Sequence, residues 1–212
     1  FCFKYPSVRF FNLFGIPIYL KNIKISEKDI NTLINLEYER LNINNGYISK
    51  NKQILKEKQN SNVKDCIFNN VNYFLYEYLK IKKNISFKLL NSWCMKHVKN
   101  DWSLSHHHDN SLISGILYLK TYKNSGDLIL HRNNLLNVFS SSINIEFEET
   151  NINNCNKFYI TPKKGDLILF PSYLEHSVTR NLNQKERYCC AFNFYPSGSF
   201  GNKKSFNELN LV

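Results

Sequence analysis

The chain has 212 residues, of which 42% are hydrophobic and 15% are aromatic. This composition excludes an intrinsically disordered chain, and the length is sufficient for one domain with a hydrophobic core. The 28 basic residues outnumber the 17 acidic ones, which gives a net charge of +11. Such a charge attracts polyanions, but the lysines are scattered, so charge alone does not predict a nucleic-acid-binding protein.

The cysteines and the N-terminal stretch bear on the compartment. The six cysteines show no C-x-x-C spacing, so we expect reduced thiols in a cytoplasmic protein. The apolar start is interrupted by Lys4, Pro6, Arg9 and Pro17, and it falls short of the roughly 18 residues of a membrane-spanning helix. We therefore expect no membrane partner. Because residue 1 is Phe, the natural start can lie upstream, which leaves a targeting segment open.

Two helices are predicted in the N-terminal part. Ser26 followed by Asp29 is a capping-box pattern, and apolar residues at helical spacing follow it as far as Leu41. A second apolar stripe, with spacings of three and four, extends from Val63 to Leu79. The lysine-rich segment between them, Lys50 to Asn60, has the composition of a solvated connection.

From Ile85 onward the pattern changes to short strands separated by turns. Seven segments have the β-branched and aromatic composition of strands: ISFKLLNSWCMKHV, SGILYLKTY, GDLILHR, KFYITP, GDLILFPS, HSVTRN and RYCCAFNFYP. Without interleaved helices they favour a sandwich, jelly roll or barrel over a parallel sheet. We expect one mainly β (α+β) domain, with 1–84 as strand and helical support, 85–196 as core and 197–212 as a C-terminal tail. Residues 133–156 are expected to form a long, partly ordered insertion.

The segment SHHHDNSLISG places three histidines and an aspartate in front of a predicted strand. Side chains alternate between the faces of a strand, so His106 shares one face with His108, and His107 shares the other with Asp109. Either pair could form half of a metal site. Four consecutive polar residues could also form a solvated loop.

A further histidine, His176, follows the predicted strand GDLILFPS, and Arg187 begins the last predicted strand. Two histidines on one strand and a third on another can hold a divalent metal while leaving one face of the ion open. Arg187 supplies a planar cation that could clamp a carboxylate of a molecule bound there.

These blocks resemble the Fe(II)- and 2-oxoglutarate-dependent oxygenase superfamily, in particular a branch found in phage and bacterial genomes. The pattern of that branch is H-x-H-x-N-S-x-x-S-G-x-x-Y-L, then G-D-L-x-x-F-P-S-x-x-x-H-S-V, then R-Y-x-x-A-F-N. The chain has HHHDNSLISGILYL, GDLILFPSYLEHSV and RYCCAFN in the same order, within roughly Asn91 to Phe194. The upstream NSWCMKH resembles the preceding strand. The resemblance implies a double-stranded β-helix (jelly roll) with the N-terminal helices packed on one sheet.

The resemblance also implies roles for individual residues. It implies that His106, His108 and His176 bind Fe(II), and that Arg187 pairs with the distal carboxylate of the co-substrate 2-oxoglutarate. Tyr118 is in a position where the superfamily often has a second co-substrate contact. No catalytic residue beyond the metal ligands is implied.

Most of the superfamily uses His-x-Asp with a distal histidine, and this gives an alternative ligand set of His107, Asp109 and His176. Strand alternation leaves both sets open, because a β-bulge inverts the parity. The resemblance favours His-x-His. Asp109 would then either accept a hydrogen bond from a metal ligand or lie in a solvent-facing turn.

The implied activity is that of a dioxygenase, which consumes O2 and 2-oxoglutarate and hydroxylates an unactivated C–H bond. As substrate, the resemblance favours a protein side chain, such as a prolyl ring, over a nucleic acid or a small molecule. The sequence does not specify the substrate, the oligomeric state or the biological role.

A cupin-like metal- or sugar-binding module without oxygenase turnover is the alternative. Gly165, Pro171, His176 and Asn181 resemble the second cupin block. The glutamate that cupins add after His-x-His is missing here, and a cupin has no need of an inward cation such as Arg187.

Overall fold

The structure, a computed structural model, describes residues 15–41, 46–132, 146–201 and 206–211. The strands and helices within these ranges are, in chain order, β1 (Tyr19–Asn22), α1 (Glu27–Ile34), β2 (Tyr38–Arg40), β3 (Tyr47–Ser49), α2 (Ser61–Asn72), β4 (Ser86–His97), β5 (Ser103–His106), β6 (Ile113–Lys120), β7 (Leu128–His131), β8 (Lys157–Ile160), β9 (Asp166–Pro171), β10 (His176–Val178), β11 (Arg187–Phe200) and β12 (Leu209–Leu211).

Helix α1 begins where the capping-box pattern predicts. The Ser26 Oγ accepts a hydrogen bond from the Asp29 backbone N–H (3.1 Å) and donates to the Asp29 carboxylate (2.7 Å). The predicted extension towards Leu41 is wrong, because the helix ends at a cap on Asn35 and the chain then forms β2. Pairing of β2 with β3 satisfies the backbone groups that a longer helix would have used.

Helix α2 confirms the second apolar stripe, and it continues as a π-helical turn, Tyr73–Tyr78. The segment Lys50 to Asn60 is not the solvated connection that its lysines suggest. It forms two short 3-10 turns, in which Ile54 and Leu55 are completely buried against the core while the lysine side chains remain at the surface.

The strands form two antiparallel sheets, and the predicted jelly-roll fold is confirmed. The major sheet has the order β1-β9-β6-β11-β4-β3-β2, with β12 paired to β11, and the minor sheet has the order β5-β10-β7-β8. The last core strand runs to Phe200 and pairs with β12, so the expected tail 197–212 starts inside a strand. Of the expected insertion 133–156, residues 133–145 lie outside the described ranges, and the rest is turn and irregular chain.

The major sheet is buried on both faces. One face packs against the helices, and the other packs against the minor sheet, so alternate residues of the same strand enter different hydrophobic clusters. In β6, Leu117 lies in the helical cluster and Tyr118 in the cluster between the sheets. The adjacent Cys189 and Cys190 are divided in the same way, as expected for neighbours in a strand.

The described parts of the chain contain no helix that is both long and apolar enough to cross a bilayer. All five cysteines in these parts are free thiols: Cys66, Cys94, Cys155, Cys189 and Cys190.

Candidate metal centre

Three histidines converge at one end of the minor sheet. His106 ends β5 and lies opposite His176, the first residue of β10, in the pairing of these two strands. His108 follows two residues after β5, and its backbone N–H donates to the Ser172 carbonyl oxygen (3.0 Å). The ligand nitrogens of the three imidazoles all lie within 4.8 Å of one another. Within the described ranges, no other group of three potential ligands converges in this way.

The hydrogen bonds of two rings direct their free nitrogens into this cluster. His106 Nδ1 lies 2.8 Å from the carbonyl oxygen of Leu104, and His176 Nδ1 lies 3.0 Å from that of Leu174. A carbonyl oxygen only accepts, so each Nδ1 bears the proton and each Nε2 has a lone pair. Nε2 with Nδ1–H bonded to a backbone carbonyl is a common state of metal-bound histidine.

The rings of His108 and His176 are held neutral by their surroundings. His176 is 3% exposed and packs against Phe170, with the two ring centroids 4.8 Å apart. The ring centroids of His108 and Trp93 are 5.7 Å apart. Burial, reinforced by the neighbouring His106, lowers the pKa of His176 to about 3 and that of His108 to about 4. Both imidazoles are therefore free to bind a cation at neutral pH.

The alternative ligand pair points away from this cluster. His107 Nε2 lies 3.2 Å from the Asp109 carboxylate, and both side chains are largely exposed. His107 and Asp109 follow the end of β5, so strand alternation does not apply to them, and their contact with each other places them apart from His176. Under this arrangement Asp109 is a solvent-facing partner of His107.

Arg187 begins β11 and is buried between the two sheets, with 1% of its surface exposed. Its guanidinium carbon lies 5.9 Å from the centre of the Tyr118 ring, and Nη1 lies 3.4 Å from the Gly126 carbonyl oxygen. Nη2 donates to the imidazole of His97. Nε is buried without a hydrogen-bond partner, and the described residues offer Arg187 no carboxylate partner. A buried cation in this state is suited to receive a carboxylate from a ligand.

Tyr118 lies in the same cluster between the sheets as Phe170, the residue that packs on His176. Burial raises the pKa of Tyr118 above its ordinary value, so its hydroxyl remains protonated and can donate a hydrogen bond. The arginine and the tyrosine named from the sequence are therefore neighbours, inside the barrel that bears the histidine triad.

Sequence analysis missed His97, the last residue of β4. It lies directly opposite Arg187 in the β4–β11 pairing and is almost completely buried. The strand alternation that places Trp93 and Met95 on the inner face of β4 places His97 there too, so the signal was present. The partner on β11 could not be assigned without the register.

Comparison with known proteins finds one family that matches part of the chain. Residues 91–193 match the family described as putative 2OG-Fe(II) oxygenase. This segment is similar to the 2OG-Fe(II) oxygenase family. The match includes all three histidines as well as Tyr118 and Arg187. No curated protein sequence matches the chain.

Several solved structures have the same fold. HygX from Streptomyces hygroscopicus, solved with nickel and 2-oxoglutarate, is 12% identical, with 85% of this chain and 83% of that chain covered at a TM-score of 0.57. The carbocyclase SnoK from nogalamycin biosynthesis is 8% identical (86% and 82% covered, TM-score 0.59). A Pseudomonas putida prolyl-4-hydroxylase is 11% identical (85% and 92% covered, TM-score 0.55). At these identities the similarity establishes the fold alone.

The donor set of the three histidines fits a divalent iron ion. Imidazole nitrogen is a good ligand for divalent iron, and two of the three rings already have the required tautomer. Three neutral ligands leave the full charge of the ion to be balanced by an anionic co-substrate. Arg187 provides a matching buried site for a second carboxylate.

Proposed function

We propose that the protein is a hydroxylase that binds Fe(II) through His106, His108 and His176 and binds 2-oxoglutarate through Arg187. The observation that supports this most strongly is the buried, unpaired Nε of Arg187 in the barrel that holds the three imidazoles. Burial of a cation without a counter-charge is costly unless a ligand supplies that charge. A dicarboxylate would supply one carboxylate to the metal and a second one to Arg187.

Fe(II), when bound, activates O2 for an oxidation in which 2-oxoglutarate, O2 and a C–H bond yield succinate, CO2 and an alcohol. The chain itself binds and orients. His106 and His176 keep their rings directed through the Leu104 and Leu174 carbonyls. Arg187 fixes the distal carboxylate and the Tyr118 hydroxyl can donate to it, while Phe170 shields the inner side of the site from water.

The cupin-like module would leave Arg187 without a role. A sugar- or metal-binding barrel that does not bind 2-oxoglutarate gains nothing from a guanidinium that is 1% exposed and lacks a carboxylate partner in the described chain. The proposed co-substrate explains that cation, so we favour the hydroxylase.

We further propose a polypeptide substrate, with a prolyl side chain as the first candidate, in a reducing compartment such as the cytoplasm. The prolyl-4-hydroxylase of P. putida has the same fold, and the free thiols fit a reducing environment. A cleft of about 580 Å³ adjoins the segments that bear the ligands, and the cations Arg132 and Lys157 line it together with one carboxylate, that of Glu175. Together with the net charge of +11, these cations favour a peptide with acidic residues.

Succinate formation tests the proposal. Purified protein with Fe(II), ascorbate and 2-oxoglutarate should release succinate, and an acidic prolyl peptide should raise the rate and gain the mass of one oxygen atom. His176→Ala should abolish both signals, whereas Asp109→Ala should retain them. Absence of succinate from the metal-loaded wild type would refute the hydroxylase. Succinate without any peptide product would refute the polypeptide substrate alone.

A further inference from the structure

We propose that His97 is a positioning residue, which holds Arg187 in the orientation that binds the distal carboxylate of 2-oxoglutarate. The inference rests on the proposed function and assigns a role to a residue outside the metal centre. His97 ends β4, faces Arg187 in the sheet register and is 2% exposed.

The proton positions on His97 follow from the contacts of its ring with Arg187 and Ser103. The guanidinium of Arg187 has only donors, and its Nη2 contacts His97 Nδ1. Nδ1 must therefore accept, which places the ring proton on Nε2. That nitrogen lies 3.2 Å from the Ser103 Oγ, an acceptor for the Nε2–H. His97 thus faces Arg187 as a neutral imidazole of one defined tautomer.

The surroundings hold the His97 ring in this place. The Asn181 side-chain amide donates to the His97 carbonyl oxygen (2.9 Å) and fixes the end of β4. Gly46 packs so closely that a Cβ there would lie 2.5 Å from His97 Cδ2, and its φ of +80° also favours glycine. Any side chain at position 46 would displace the imidazole.

A neutral hydrogen-bond acceptor fixes the orientation of the Arg187 guanidinium without neutralising its positive charge. A carboxylate in the place of His97 would form an ion pair and compete with the ligand. The other contact, from Nη1 to the Gly126 carbonyl, is long at 3.4 Å, so His97 provides the main constraint on the guanidinium. Nε–H, which is buried and has no partner, is left to bind the incoming carboxylate.

Affinity for two keto acids tests this role. We would load the protein with Mn(II) and titrate it with 2-oxoglutarate, or with 2-oxobutyrate, which has the chelating keto acid but no distal carboxylate. In His97→Leu the Kd for 2-oxoglutarate should rise about tenfold, because one hydrogen bond to the charged guanidinium is lost. His97→Asn should bind close to wild type, since its amide oxygen can replace Nδ1. The Kd for 2-oxobutyrate should not change in either variant.

Two controls separate this role from a structural one. Mn(II) binding by each variant reports whether the fold and the histidine triad are intact. Ser103→Ala leaves the imidazole in place but removes the partner of Nε2, and it should weaken 2-oxoglutarate binding about threefold. Wild-type affinity for 2-oxoglutarate in His97→Leu would overturn the inference, as would an equal loss for both keto acids. Failure of the Mn(II)-loaded wild type to bind 2-oxoglutarate would instead overturn the proposed function.

Discussion

The orientation of each candidate ligand depends on a short-range contact of its own ring. His106 and His176 each bond the carbonyl oxygen two residues earlier, which is possible because both lie where a strand begins or ends. His107 lies between His106 and His108 in the chain, but its ring contacts the Asp109 carboxylate at the surface. At the residue scale, the choice between His-x-His and His-x-Asp is therefore one of side-chain direction, and in the described chain only the first pair converges with His176.

The buried histidines predict a pH dependence of the metal-free protein. In the unfolded chain both imidazoles titrate near pH 6.5, whereas the folded-state pKa is about 3 for His176 and about 4 for His108. Their contribution to stability is complete above pH 6.5 and is lost as the pH falls towards the folded-state values, because the unfolded chain binds protons first. At pH 5, each of the two histidines should therefore lower the free energy of unfolding by about 1–2 kcal/mol relative to neutral pH.

Urea unfolding in the presence of a chelator, at pH 7.5 and pH 5, measures this effect. His176→Asn removes one of the two groups and should show a smaller loss between the two pH values. A wild-type free energy of unfolding that is equal at both pH values would show that the histidines are not buried in the neutral form.

Strands with two buried faces are the elements that hold the site. Residues of β6 and β9 alternate between the helical cluster and the cluster between the sheets. Both faces of these strands are therefore tightly packed and tolerate little change in side-chain volume. Gly115 in β6 is the most closely packed of the described glycines, because a Cβ there would lie 2.2 Å from the ring of Phe192 in the adjacent β11.

Gly115→Ala should therefore lower the free energy of unfolding by about 1–3 kcal/mol through overpacking. Phe192→Leu provides space for the new methyl group, so the double variant should be more stable than the sum of the two single changes predicts. Denaturant unfolding of the four proteins of this cycle measures the coupling. Strict additivity would mean that the ring and the new methyl group do not meet.

Sequence patterns predicted those elements whose signals are local. The Ser26 cap, the stripe from Val63 and the short β-rich segments all depend on neighbours in the chain. The burial of Leu55 was missed because it depends on a distant partner: its N–H donates to the Ser92 hydroxyl (2.9 Å), which lies in β4. His97 was missed for the same reason, since only the register of β4 and β11 reveals its contact with Arg187.

At the scale of the whole molecule, the site is assembled from both sheets. The triad is at the end of the minor sheet, whereas Arg187, Tyr118 and His97 lie on strands of the major sheet. The sequence predicted His106 and His108 on one strand and His176 on another, but their convergence follows from the pairing of β5 with β10 and from the packing of the two sheets. A ligand that reaches from the triad to Arg187 would link the two layers, so both must be intact for it to bind.

The most direct test of this account is an anaerobic titration of the metal-free protein with Fe(II) and 2-oxoglutarate, following the visible absorption band of the chelate. We expect the band in the wild type and in Asp109→Ala, its loss in His108→Ala, and a much weaker affinity for 2-oxoglutarate in Arg187→Ala. A band that persists in His108→Ala but disappears in Asp109→Ala would contradict the three-histidine site. Metal binding without any band in the wild type would contradict the oxygenase assignment itself.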